Sequence, residues 1–215
     1  MESCLRFDIN CRLCPRLSDF LDQVSLKHPH YHARPVDAFG PLGADLLIVG
    51  LAPGMHGANA TGRPFTGDYA GLLLYESLHE FGFSNQSDAI SRDDGLELNN
   101  CRITNAVKCL PPQNKPTGAE INQCNAYLRA EIESLAALKV IMALGNVAHQ
   151  AVLKAYGLKL KQIAFKHNQA ALLPDDKWLV SSYHCSRYNI QTKRLTQSMF
   201  QDVFKTIKPL LKDSD

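Results

Sequence analysis

The side chains of this 215-residue chain that can ligate a metal, move a proton or read a ligand edge are unevenly spaced. Cys11 and Cys14 form a C-x-x-C pair followed by Pro15, a spacing that lets one metal ion or cluster take both thiolates. Cys109 and Cys124 follow much later with 14 residues between them. Together the four make a thiolate set that zinc or an iron-sulfur cluster would accept. A thioredoxin-like redox pair would need a strand before it, and none precedes Cys11. Cys4, Cys101 and Cys185 are left over as free thiols. Seven cysteines, an odd number, behind the start MESCLRFDIN argue for thiols or metal ligands over a disulfide framework.

The other concentration of chemistry is residues 50–71, GLAPGMHGANATGRPFTGDYAG, which hold six of the 13 glycines. Such a loop can take positive φ at several points and approach a ligand closely. Pro53 stiffens its start, Asn59, Thr61 and Thr66 offer hydrogen bonds, Arg63 a fork for phosphate, Phe65 a flat face and Asp68 a carboxylate. A dinucleotide fingerprint is excluded because Gly50, Gly54 and Gly57 lack its spacing, and no G-K-[ST] follows for a triphosphate. Further on, His184-Cys185-Ser186-Arg187 follows an apolar run directly.

These residues need elements to hold them. The apolar run 45–49 breaks into the glycine loop as a buried strand, and helical spacing over 69–81 predicts the next helix, closed by Gly82. Residues 84–100 read as a polar surface excursion. A second strand spans 102–108, with Pro111 and Pro112 preventing its continuation. Thr117-Gly118-Ala119-Glu120 is a capping box opening a helix through residue 137. Residues 139–144 form a third strand, 146–155 a helix whose N-terminus suits a phosphate, and 178–183 a fourth strand. Before them a short helix is expected over 16–24. Residues 159–177 suggest a hairpin around His167-Asn168-Gln169, and a last helix runs from residue 192 until Pro209 limits it. Strands alternating with helices imply an α/β fold: a single-domain, three-layer α/β/α arrangement around a mostly parallel four-stranded sheet. Residues 1–40 form an N-terminal segment tied in by the cysteines. Ligands in such folds lie at the carboxyl ends of the strands, where the glycine loop, Asn105 and His184 all fall.

At 45% hydrophobic content the chain can bury a full core. No stretch nears the roughly 18 apolar residues of a membrane span, so a soluble, cytoplasmic monomer without membrane contact is expected. Net charge is only +2, yet residues 140–212 carry 11 Lys and Arg against 3 Asp, while residues 1–139 carry 12 against 16 acids. Arg187, Lys193 and Arg194 cluster around Tyr188 without an acid nearby, which suits a phosphate backbone.

The glycine loop resembles motif 1 of the iron-sulfur uracil-DNA glycosylases, and GLAPG followed by HGAN, TGRPFTGD and AG is similar to their B-type, or fifth, family. Similarity is dense over 50–71 and resumes over 104–124 and 183–196. The resemblance implies a DNA repair enzyme that flips uracil, and deaminated purines such as hypoxanthine, out of DNA and hydrolyses the bond to deoxyribose. It assigns base binding to Gly50, Ala52, Pro53, Phe65 and Asn105, and catalysis to Asp68, which orients water or stabilises the sugar cation, and His184, which donates to the departing base. It assigns DNA phosphates to Arg63, Ser186 and Arg187. It also favours a [4Fe-4S] cluster over zinc on Cys11, Cys14, Cys109 and Cys124. With Arg187 beside it, His184 is expected to act as a neutral donor.

The chain departs from the family at four positions. Leu51 replaces the glutamate of A-type enzymes, Gly54 a usual alanine, Ala60 a common arginine and Cys185 the proline of H-P-S. Two other classes fit the bare pattern: a Rossmann-like enzyme acting on a small nucleotide, and a non-enzymatic iron-sulfur or zinc module that binds nucleic acid.

Overall fold

The computed structural model describes residues 7–212, so Cys4 lies outside the described residues. The central strands of its sheet are apolar on both faces because both faces are covered. β1 (Leu46–Gly50) lies between β2 (Cys101–Asn105) and β3 (Val140–Leu144), and β5 (Trp178–Ser182) lies beyond β3, all parallel. Along β1 and β3 successive side chains alternate between two cores, as a two-residue period requires. Leu46, Ile48, Val140 and Met142 pack with α3 (Tyr69–Glu80) and α7 (Gln197–Leu210). Leu47, Val49, Ile141 and Ala143 pack with α4 (Gly118–Ser134) and α5 (Asn146–Ala155). The result is three layers, helix, sheet and helix.

The sheet has five strands, in the order β2-β1-β3-β5-β4, which corrects the expected four. The extra strand, β4 (Gln169–Leu172), is a short antiparallel edge paired with β5. Its residues, QAAL, carry neither β-branched nor aromatic side chains and lie partly exposed, so no strand pattern marks them. A hairpin does form in this stretch. Its turn falls at residues 173–177, closed by the Lys177 carbonyl accepting from the Leu173 N–H at 2.8 Å, instead of around His167-Asn168-Gln169. β2 also ends earlier than expected, at Asn105. Beyond it the Ala106 and Val107 N–H groups donate to Gly50 and Leu51 carbonyls at 2.9 and 3.0 Å, so the chain follows the glycine loop outward.

The helices start where their caps lie. Thr117 and Glu120 form the expected capping box of α4, Asp68 caps α3, and the one-turn helix α2 (Ala58–Thr61) lies within the glycine loop. The last helix, α7, starts at Gln197 and not near residue 192, because Lys193 turns at φ 56° and Thr196 supplies the cap; a separate short helix, α6 (Arg187–Gln191), precedes that turn. α1 (Pro15–Lys27) begins at the proline after Cys14, where a missing N–H costs nothing. Leu17, Leu21 and Val24 of α1 pack on Val107, Leu110 and Tyr127. At about 1.5–3 kcal/mol for each buried side chain, this contact docks a helix too short to stand alone. No helix among the described residues is long and apolar enough to cross a membrane.

Candidate active site

Gly50 ends β1 directly opposite Asn105, which ends β2. A side chain on Gly50 would run into the Asn105 amide oxygen and the Phe65 ring, so glycine is what lets these two close together. Phe65 turns back at φ 53°, and Gly71 leaves room for its carbonyl. The Tyr75 hydroxyl donates to the Pro64 carbonyl at 2.8 Å and fixes the turn from beneath. Phe65 then lies against His184, with ring centroids 6.1 Å apart and planes at 30°.

Leu51, Ala52, Gly54, Ala58, Phe65, Asp68, Asn105, His184, Ser186 and Arg187 all line one open cleft of about 1050 Å³. Gly50, at the end of β1, and Pro53 just beyond it are buried and do not themselves line the cleft. Asn105 is 3% exposed and its amide oxygen has no hydrogen-bond partner. A buried acceptor left unpaired is costly unless something fills the site.

Asp68 divides its two oxygens. Oδ1 accepts from the Gly71 N–H at 2.9 Å and caps α3. Oδ2 faces Gly54 and Gly57, where a Gly57 side chain would collide with it. Burial raises the Asp68 pKa, and the Gly71 and Ala70 amides offset part of that rise. His184 is partly open to the cleft, and burial alone depresses its pKa to about 4. The ring is therefore neutral as expected, but for a different reason: Arg187 instead lies over the Tyr69 ring at 5.7 Å. Asn189 donates to the His184 carbonyl at 2.8 Å and steadies this backbone.

Arg63 does not stand at the surface. It is 3% exposed and forks onto Asp94 at 2.8 and 2.7 Å, with Thr66 accepting from its Nε at 2.8 Å. A guanidinium so enclosed has no face for a DNA phosphate, which corrects that expectation. Ser186 caps α6, and Arg187, Lys193 and Arg194 are exposed. The cleft also includes Asn114 and Tyr69, which sequence reasoning did not single out. Asn114 sits at φ 56° in the short 3₁₀ turn Pro112–Asn114, and the neighbouring prolines were its available signal.

A second, small pocket gathers Cys11, Cys14, Cys109 and Cys124 with Leu17, Lys108 and Tyr127 around it. Cys109 and Cys124 are 8% exposed. The Lys108 N–H donates to Cys124 Sγ at 3.3 Å. Burial pushes the Cys109 thiol up to about 12 and raises those of Cys14 and Cys124, with further contributions from the neighbouring cysteines. The four sulfurs thus feel one another across a shared space. Among the described residues no three His, Cys, Asp or Glu side chains converge tightly enough for a single ion. Four thiols lining one pocket carry the donor chemistry that a cluster or zinc would use. Cys101 and Cys185 are buried elsewhere and free.

Comparison with known proteins agrees with this geometry. Residues 38–208 match the family model described as the uracil DNA glycosylase superfamily. The chain is 43% identical to a type-5 uracil-DNA glycosylase of Thermus thermophilus over 205 residues, 93% of each chain. It is 40% identical to a type-5 uracil-DNA glycosylase of Pyrobaculum aerophilum over 201 residues, 92% of this chain and 87% of that protein. A type-4 uracil-DNA glycosylase of the same archaeon is 34% identical over 134 residues, covering 62% of this chain and 60% of that protein. Both the matched span and the full-length identities place this chain in the uracil-DNA glycosylase superfamily.

Proposed function

We propose that the chain is a DNA repair glycosylase that hydrolyses the bond between uracil and deoxyribose, leaving an abasic site. The observation that carries this reading is the unpaired, buried amide oxygen of Asn105 beside Phe65 and His184. Uracil presents a carbonyl, an N–H and a second carbonyl along one edge. Asn105 can accept from that N–H while donating to the first carbonyl, and a neutral His184 can donate to the second. Cytosine reverses the first two groups and leaves Asn105 mispaired. Hypoxanthine repeats the N–H and carbonyl pair, so the open cleft is expected to take it as well.

As the bond breaks, charge develops on the base, and a donor held at its carbonyl acts more strongly then than in the ground state. Asp68 Oδ2 is the carboxylate oxygen left to orient the water or stabilise the sugar cation, since Leu51 has no polar group to do so. Ser186 and the exposed Arg187, with Lys193 and Arg194, are positioned to meet phosphates. Tyr188, 71% exposed and next to Arg187, is suited to filling the stack that the flipped base vacates.

Cys11, Cys14, Cys109 and Cys124 would hold a [4Fe-4S] cluster. When bound it supplies a rigid cross-link between the N-terminal segment and α4. One chain carries every residue of the cleft, so a monomer suffices, and the unpaired thiols suit a reducing, cytoplasmic setting.

Incision of uracil-containing DNA after alkali treatment tests the reading, with thymine and cytosine substrates as controls. Release of uracil alone among these three is expected. DNA binding without base release would instead favour a non-enzymatic module. Iron and sulfide analysis of anaerobically purified protein tests the cluster, and stoichiometric zinc without colour would contradict it.

A further inference from the structure

Lys108 joins the thiol cavity to a buried charge network that does not balance. It is 2% exposed, and its side chain turns beneath β2, where Nζ donates to Thr104 Oγ1 and lies 3.1 Å from Glu131 Oε2. Glu131 also accepts from Arg102 Nε at 2.7 Å and from the Thr104 hydroxyl at 3.0 Å. Burial opposes ionisation of Glu131, yet Lys108 and Arg102 together hold its carboxyl below the usual range. One carboxylate therefore answers two cations. The three side chains are between 3% and 13% exposed, so solvent does little to neutralise the surplus positive charge.

An uncompensated buried charge needs a partner. The same Lys108 lines the four-cysteine cavity, and its N–H donates to Cys124 Sγ at 3.3 Å. Four thiolates around either a zinc ion or an iron-sulfur cluster leave net negative charge on the centre. Net charge and hydrogen bonds to sulfur are among the factors that set a cluster's potential.

We propose that Lys108 is the counter-charge of the four-cysteine centre: its ammonium stabilises the bound anionic centre while its backbone N–H orients Cys124. This rests on the four-thiolate reading above. The network thereby couples the centre to β2, which ends in Asn105 three residues before Lys108.

The test uses the full chain, purified without oxygen, as wild type, Lys108→Gln and Lys108→Arg. Gln keeps a donor for Glu131 but removes the charge; Arg keeps the charge. The cluster midpoint potential is measured spectroelectrochemically, and metal release is timed after adding a chelator. Lys108→Gln is expected to have a more negative potential and to lose metal roughly ten- to a hundred-fold faster, the usual scale for a supporting partner of metal ligands. Lys108→Arg should stay close to wild type in both. Unchanged potential and release in Lys108→Gln would overturn the proposal. Equal shifts in both variants would also overturn it, because packing alone would then explain them. A wild-type protein without bound metal would instead remove the four-thiolate reading on which the proposal rests.

Discussion

Asp68 caps α3 with one oxygen, and in the proposed mechanism the other serves catalysis; substitutions can separate the two roles. In Asp68→Asn the amide oxygen can still accept from Gly71, so the cap of α3 survives. Because burial raises this carboxyl's pKa, its ionised form costs stability at neutral pH. The variant is therefore expected to melt at the same temperature or higher, while single-turnover excision falls by roughly a hundredfold, the low end of one acid-base group's contribution. Calorimetry beside excision kinetics checks both arms. The glycines facing Oδ2 give a sharper contrast. A methyl on Gly54 would rest 3.5 Å from Oδ2, an ordinary contact, whereas one on Gly57 would overlap the Asp68 side chain. Gly54→Ala should keep near wild-type excision, and Gly57→Ala should lose most of it. The capping and catalytic readings of Asp68 were both legible in the sequence. Their compatibility was not, because it depends on which way each oxygen points.

Arg63 shows where local pattern fails at the scale of elements. In a glycine-rich loop it reads as a phosphate fork, but its partner Asp94 stands 31 residues away in an irregular polar stretch. No periodicity couples those positions, so only the folded chain reveals the pair. Arg63→Ala should destabilise the fold by about 3–5 kcal/mol, as expected when one partner of a buried ion pair is removed. It should leave the salt dependence of DNA binding unchanged. Asp94 is held well below the usual carboxylate range, first by Arg63, so the pair's stabilisation is present at neutral pH and fades as acid protonates it. Arg187→Ala should do the reverse: little change in melting, and a slope of log affinity against log salt flatter by about 0.9. Denaturant titration and binding at several salt concentrations distinguish the two arginines. The four parallel elements of the sheet were legible because buried runs broke into turn residues. β4 was hidden because an edge strand needs neither an apolar run nor alternation.

At the scale of the whole molecule, the convergence of three distant segments on one sheet edge was legible from the alternation of strands and helices, which puts the strand carboxyl ends on one rim. The four-cysteine set was legible too, but the charge network beside it was not, since it ties Arg102, Thr104 and Lys108 to Glu131 of α4 through side chains that share no sequence period. Buried histidines predict how the assembled protein responds to acid. Burial lowers the pKa values of His149, His167 and His184 in the folded chain. His149 Nε2 donates to the Ile163 carbonyl at 2.9 Å, which offsets part of the effect of burial, and Nδ1 lies 2.8 Å from Ser181 Oγ. Groups shifted this way stabilise the fold above their unfolded pKa, near 6.5, and that contribution is lost as pH falls below it. Melting temperature should thus decline from about pH 6.5 downward, while excision shows no His184 ionisation near neutrality. The central claim is that a neutral His184, delivered by the end of β5, stabilises the leaving uracil. Single-turnover excision of uracil-containing DNA, measured beside equilibrium DNA binding for wild type and His184→Ala, tests it most directly. The account predicts a rate lower by roughly a hundred- to a thousand-fold with binding nearly unchanged. Near-normal chemistry with weakened binding would contradict it and make His184 a DNA contact instead.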